Sequence, residues 1–332
     1  MRVVDVHAHV IPPSLVTAMR AGTAPDGITL DEGAGDVPWV VHRQGYRYPL
    51  LPAFHDVEAR RAQMDRDGTD VALLSPAPPL FLYWAEPEVG REAAQAVNDG
   101  VAEMVATDPR RFAGIGTLPM ADPRAAVVEL RRAVRELGLR GVQVGPHVEG
   151  TGLDDPSLRP VLAAAEELRV PVVVHPYYVG SAPGLLDDFY LTNLQGNPWQ
   201  TAVCASRLIF SGTLDDLPGL EVLLVHGGGH LPYQAGRLDH GWRVRPEART
   251  PSRPPSEYLR RFSYDSLTHS AEATRWLVET VGADRVLYGT DVPFDMGGGP
   301  FTDQLEAVTD EATRRAIAHG NAARLFHLED LE

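Results

Sequence analysis

Lysine is absent from this 332-residue chain; all 30 basic residues are arginine. That excludes a Schiff-base amine, a phosphate-loop lysine and a lysine carbamate bridging two metal ions. Cysteine is nearly absent as well. Cys204 stands alone, so no internal disulfide can form, which suits a reducing, cytoplasmic setting. A lone cysteine of this kind reads as a small buried helix residue or a reactive thiol. Positive charge is scarce, with 30 basic against 45 acidic side chains and a net charge of −15. No basic run or patterned aromatic platform is present, so nucleic acid is not expected as a partner. No apolar stretch approaches the ~18 residues of a membrane span. Asp5, His7 and His9 interrupt the first apolar segment, which therefore does not read as a signal peptide. Internal repeats and low-complexity tracts are lacking too.

What is present is a regular alternation. The chain is 44% hydrophobic, enough for a full core. Short apolar runs occupy residues 3–10, 70–76, 112–119, 141–145, 170–176, 220–229, 262–267 and 284–291. Amphipathic patterns separate them, such as 125–138, which Gly138 would close, and 158–169. Eight strand candidates alternating with helices predict an α/β fold, the (β/α)8 TIM barrel. A doubly wound open sheet is the alternative, lowered by the lack of a Gly-x-Gly-x-x-Gly after the first strand. The expectation is one domain over residues 1–332 with one interruption. Residues 11–56, rich in Gly and Pro, separate the first strand from a helix over 56–68, and "PWVVHRQGYRYPL" (38–50) reads as a hairpin. Leaving a barrel strand at its C-terminal end, this insertion would lie over the barrel mouth. "RTPSRPPSEY" (249–258) reads as a surface loop.

The polar residues at strand ends form a pattern. "VVDVHAHV" (3–10) alternates, so Asp5, His7 and His9 should share one strand face. His175 ends "VPVVVHP", His226 ends "LEVLLVHGGG" and Asp291 ends "DRVLYGTD". In a β/α barrel these ends converge on one face, where catalytic groups sit. Any one such histidine could be structural; five polar residues, each directly after an apolar strand, argue for a site. Three neutral imidazoles plus a carboxylate suit Zn²⁺ or a similar ion. An open coordination position would hold a water with its pKa lowered toward ~7. Asp265, ending "FSYDSL", is either an orienting residue behind the site or a cap for the next helix. Asn321 and Arg324 in "GNAARLF" (320–326) should tie down the chain end.

These residues resemble the amidohydrolase superfamily, and more narrowly the aminocarboxymuconate-semialdehyde decarboxylase family. The likeness runs over almost the whole chain. It includes "DVHAHVIP" (5–12), "GYRYPL" (45–50), "GVQVGPHVEGTGLDDPSL" (141–158), "HGGGHLPYQAGRLDHGW" (226–242), "RPPSEYLRRFSYDSL" (253–267) and "DRVLYGTDVPF" (284–294). The resemblance implies that His7, His9, His175 and Asp291 hold one zinc ion and that His226 is the acid/base residue. It implies that Arg47, in the hairpin, pairs with a substrate carboxylate. Arg237 would do the same in the neighbouring subunit's site, since the family works as homodimers. Two positions depart from the family pattern. Tyr177 stands where a Trp is usual and His230 where a smaller residue is usual; both would face the substrate pocket and leave the exact substrate open.

Two enzyme functions follow. The first is non-oxidative decarboxylation of a small amino- or hydroxy-substituted aromatic or dienyl carboxylic acid. The second is hydrolysis of an amide, ester, lactone or thioacid, in which Asp291 takes a proton from the attacking water and His226 steadies the oxyanion. Arg47 and Arg237 discriminate between them, because only the decarboxylase must hold a small anionic substrate. A metal-stabilised scaffold is a weak third reading, since structural zinc sites usually include cysteine.

Overall fold

A computed structural model describes residues 1–329 apart from 34, 36, 46 and 178–183. Its framework is eight parallel strands: β1 (Val4–Val10), β2 (Val71–Pro76), β3 (Phe112–Gly114), β4 (Val142–Val144), β5 (Val172–Val174), β6 (Val222–Leu224), β7 (Phe262–Asp265) and β8 (Val286–Leu287). β1 to β3 form one ladder and β4 to β8 another, each pairing parallel with its neighbour in chain order. A bridge between Gly116 and Val142 joins the ladders on one side. On the other side Ala8 bridges Val292, and the Val6 amide donates to the Tyr288 carbonyl at 3.0 Å. The sheet is therefore closed, a (β/α)8 barrel, and each strand lies in a run predicted from the sequence. An open doubly wound sheet is ruled out by this closure.

The helices between strands are punctuated by caps, to which Pro123–Arg135 adds a clear apolar periodicity. Asp56 accepts from the Ala59 amide and starts the helix Val57–Asp67, which Gly68 ends at φ +70°. Pro123–Arg135 is capped by Asp122, and Gly138 turns the chain past its end at φ +70°. Cys204 is buried in the helix Asn197–Phe210. Asn321 donates to the carbonyls of Ala283 and Val286 at 2.7 Å, and Arg324 to that of Asp284 at 2.8 Å, so both hold the chain end as expected. Among the described residues no helix is long and apolar enough to cross a membrane.

The segment after β1 contains a helix, Pro13–Ala21, and an antiparallel sheet of Thr29–Asp31, Trp39–Val41 and Arg47–Pro49. The last two strands are the predicted hairpin, with Val41 opposite Arg47. Buried Tyr48 anchors the sheet: its ring lies 5.8 Å from Phe294, which in turn lies 5.3 Å from His9. The hairpin is thus fastened beside the C-terminal ends of β1 and β8.

One local expectation fails. Asp5, His7 and His9 do not share a face, because β1 bulges between Asp5 and Ala8. Val4 and Val6 pack with Leu73, Val173, Leu223 and Leu287 from across the barrel interior. Ala8 and Val10, of the same parity, pack with Ala72 and Leu74 in a different cluster. The extra residue flips the alternation, which is what a bulge does. Asp5 is left outside the site, where it accepts from the His7 amide (3.0 Å), the Thr290 amide (3.2 Å) and the Thr290 hydroxyl (2.6 Å). Burial outweighs these bonds and pushes the Asp5 carboxyl up to about 6.

Candidate metal centre

His7 and His9 reach the barrel axis from β1, His175 from the residue after β5, His226 from the turn after β6, and Asp291 from the loop after β8. One ligand atom from each of His7, His9, His175 and Asp291 lies within 4.8 Å of every other, and all four residues are buried. Asp291 Oδ1 stands 2.9 Å from His9 Nε2, 3.3 Å from His7 Nε2 and 3.8 Å from His175 Nε2. Its other oxygen stands 3.5 Å from His226 Nε2.

The surroundings set which nitrogen faces inward. His7 Nδ1 meets Asp265 Oδ2 at 2.7 Å, His9 Nδ1 meets the Pro76 carbonyl at 3.2 Å, and His175 Nδ1 meets the Pro176 carbonyl at 2.5 Å. Each acceptor holds a proton on Nδ1, so each Nε2 offers a lone pair to the centre. His7 Nε2 and His9 Nε2 are 3.1 Å apart. Two lone pairs at that distance repel unless a proton or cation sits between them. His175 Nε2 and Asp291 Oδ1 are buried with no hydrogen-bond partner. A buried polar atom left unpaired costs about 1–3 kcal/mol. The donor set of three imidazoles and one carboxylate therefore fits a divalent cation.

Local backbone builds this geometry. His226 and Asp291 adopt φ +56° and +62°, a left-handed conformation that non-glycine residues enter uncommonly. Three glycines follow His226, also at positive φ; a Cβ on Gly229 would come 2.0 Å from the Pro198 carbonyl oxygen. A Cβ on Gly289 would come 2.9 Å from the Cβ atoms of both His7 and Asp265, so only glycine lets β8 approach them. Asp265 does not cap the next helix; Ser270 does, accepting from the Ala273 amide. Asp265 accepts instead from the Gly227 amide at 2.8 Å while holding His7, and so ties a centre histidine to the turn that carries His226.

Charge balance follows from burial and neighbours. Burial opposes a proton on His7, yet the Asp291 and Asp265 carboxylates outweigh it and raise His7 to about 10. Burial lowers His9 and takes His175 down to about 3. Burial pushes Asp291 up, but His7, His175 and His226 hold its carboxyl well below the usual range. The two carboxylates thus favour a proton on His7 in the metal-free site. A metal ligand must be neutral imidazole, so loading has to expel that proton. Metal affinity should rise by about tenfold per pH unit through neutrality and level off near pH 10. Calorimetric titration in buffers of differing ionisation enthalpy should find one proton released per ion; none released would refute this charge state.

Two cavities meet at Asp291 and share Asn193, Asn197 and Met296. The larger, about 570 Å³, holds Arg47, Tyr177 and His175, with Trp39, Tyr48 and Phe294 among its walls. The smaller, about 380 Å³, holds His226 and His230. The structure therefore brings Arg47, Tyr177 and His230 to the centre's surroundings. The Arg47 guanidinium lies 4.6 Å from the centroid of the Trp39 ring. Arg237 is not brought in; it is exposed on the helix Leu231–Val244. Sequence reasoning missed Asn193 and Asn197, which sit at the waist between the cavities. They lie after β5 in a stretch with no periodic or motif signal. Phe294 was within reach, as the aromatic residue three places beyond a strand-end aspartate.

A closed barrel that gathers three imidazoles and a carboxylate at its strand ends defines a metal-binding barrel of the enzyme type. The chain belongs to the amidohydrolase family, whose model matches residues 4–328. It is 34% identical over 331 residues to 2-amino-3-carboxymuconate-6-semialdehyde decarboxylase of Dictyostelium discoideum, covering 98% of this chain and 92% of that one. Among solved structures, 5-carboxyvanillate decarboxylase from Sphingomonas paucimobilis superposes with a TM-score of 0.80 at 29% identity, over 98% and 99% of the two chains. A dihydroxybenzoic acid decarboxylase from Polaromonas sp. JS666, with bound manganese and the inhibitor 2-nitroresorcinol, gives 0.78 at 28% identity, over 98% and 97%.

Proposed function

We propose that the protein is a metal-dependent, non-oxidative decarboxylase of a small amino- or hydroxy-substituted aromatic or dienyl carboxylic acid. The observation that carries this reading is that Arg47 lines the same cavity as His175 and Asp291. A guanidinium there gives a carboxylate a bidentate partner beside the centre. The relatives named above are decarboxylases, in agreement. A hydrolase of neutral amides or esters would leave Arg47 without a substrate charge to meet.

His7, His9, His175 and Asp291 would hold the ion. When bound, it supplies positive charge that polarises a substrate oxygen. The chain's own residues do the rest. Arg47 orients the acid by its carboxylate, and the apolar cavity walls keep bulk water from the reacting carbon. His226 delivers a proton to the carbon that bears the carboxylate. The bond to the carboxylate then breaks, its electron pair restores the conjugated system, and CO₂ leaves. For the ion itself we favour Zn²⁺, which matches three imidazoles and one carboxylate. Manganese in the Polaromonas enzyme makes Mn²⁺ the competitor, and elemental analysis of purified protein distinguishes them. Residues 11–56 we assign as a lid within a single domain, the protein as a cytoplasmic homodimer, and Arg237 as a contribution to the partner copy's site.

The test is CO₂ release from a panel of amino- and hydroxy-substituted aryl and dienyl acids, with neutral esters and amides beside them. Turnover of the neutral compounds alone would overturn the reading. Arg47→Ala should lower kcat/KM by roughly 10- to 100-fold with metal content unchanged, the worth of a charge-assisted pair in a partly dry site. Arg47→Lys should recover only part, because a point charge lacks the planar fork. Arg237→Ala should cost a similar factor. If Arg237 crosses between copies, mixing inactive Arg237→Ala and His226→Ala subunits should restore one working site per hybrid dimer.

A further inference from the structure

Among the described residues, one side chain lines both the substrate cavity and a further cavity. Tyr177 lines the cavity that holds Arg47 and His175. It also lines another of about 500 Å³, between the loop after β4 and the helix Asn197–Phe210. Its ring is clamped. It lies 5.2 Å from the Tyr83 ring and stacks at 6.2 Å and 27° on Trp84. Gly145 makes room for it, since a Cβ there would come 2.6 Å from Tyr177 Cδ1. The hydroxyl belongs to the far side. It donates to Glu149 Oε1 at 3.1 Å and lies 3.4 Å from His147 Nδ1. His147 Nδ1 itself accepts from the Gly150 amide. With its polar end committed behind the wall, Tyr177 presents only ring carbon to the substrate.

From this placement we propose that Tyr177 is the specificity-determining wall of the active site, limiting the substrate to one ring or its open-chain equivalent. Removing the ring would join the two cavities and admit fused bicyclic acids. The proposal rests on the aryl-acid reading above and adds the size limit. Burial pushes the Tyr177 phenol above its usual range, so it stays protonated and is no candidate for a base. Selectivity here comes from exclusion: a rigid side chain occupies the volume that a wrong substrate would need. A ring held on three sides cannot swing aside as a surface side chain does.

The probes are 2,6-dihydroxybenzoic acid as the monocycle and 1-hydroxy-2-naphthoic and 3-hydroxy-2-naphthoic acids as bicycles fused on either edge. Each is measured with metal-loaded wild type, Tyr177→Ala, Tyr177→Leu and Tyr177→Phe, by equilibrium binding and by CO₂ release. The readout is the bicycle-to-monocycle ratio, which a general loss of folding or activity does not move. The ratio for the better bicycle should rise by at least ~10²-fold in Tyr177→Ala and at least ~10-fold in Tyr177→Leu, since even one methylene is worth about tenfold or more in a tight pocket. Tyr177→Phe keeps the ring and should stay within about threefold of wild type. Should Tyr177→Ala fail to fold, Tyr177→Leu decides. Binding without CO₂ release by any form would sink the decarboxylase reading, while the binding ratio still tests the wall. An unchanged ratio in the Ala or Leu variant, a ratio in Phe as high as in Ala, or no binding of any acid to any form overturns the proposal.

Discussion

His175→Ala should purify with most of its metal gone and no measurable turnover. His175 is buried, its Nδ1 is committed to the Pro176 carbonyl, and its Nε2 faces the centre without a partner. With two imidazoles and one carboxylate left, the site loses a neutral nitrogen donor outright. Stability gives a second reading. A metal that binds only the folded state raises the apparent stability in proportion to the logarithm of its concentration over Kd. Chelator should therefore lower the Tm of the wild type and leave that of His175→Ala almost unmoved. A variant that retains a full complement of metal would remove His175 from the ligand set.

His226 should behave oppositely. Its Nε2 stands 3.5 Å from Asp291 Oδ2, at the edge of the cluster, and the smaller cavity opens beside it. It is positioned to hand over a proton and is not needed to hold the ion. His226→Ala should keep its metal and lose at least ~10²-fold in kcat, the low end of an acid/base contribution. Because His226 sits at φ +56°, alanine adds backbone strain to the chemical loss. His226→Asn is the cleaner variant, since asparagine tolerates that conformation. A similar loss in both variants would place the effect on the imidazole. Loss of metal in His226→Asn would instead make His226 a ligand and reassign the centre.

Much of this was legible in the one-dimensional pattern. The eight apolar runs and the helices between them predicted a barrel because strand and helix periodicities are local, set by which residues a sheet or helix must bury. The strand-end residues His7, His9, His175, His226 and Asp291 could be grouped before any coordinates, because a parallel barrel brings all strand C-termini to one face. The absence of lysine removed a lysine carbamate bridge between two metal ions by composition alone. What tertiary structure decided depends on contacts between distant segments. The bulge in β1 turned His7 and His9 inward together and sent Asp5 to Thr290, a flip that alternation in the sequence cannot register. Asp265 could be read as a cap or as an orienting residue until its oxygens were seen on His7 Nδ1 and the Gly227 amide. The placement of Arg47 beside the centre and of Tyr177 between two cavities likewise arises from loops folded across the barrel mouth. Local pattern specifies which face a residue turns to its own element; only the closed fold specifies which distant residue it then meets.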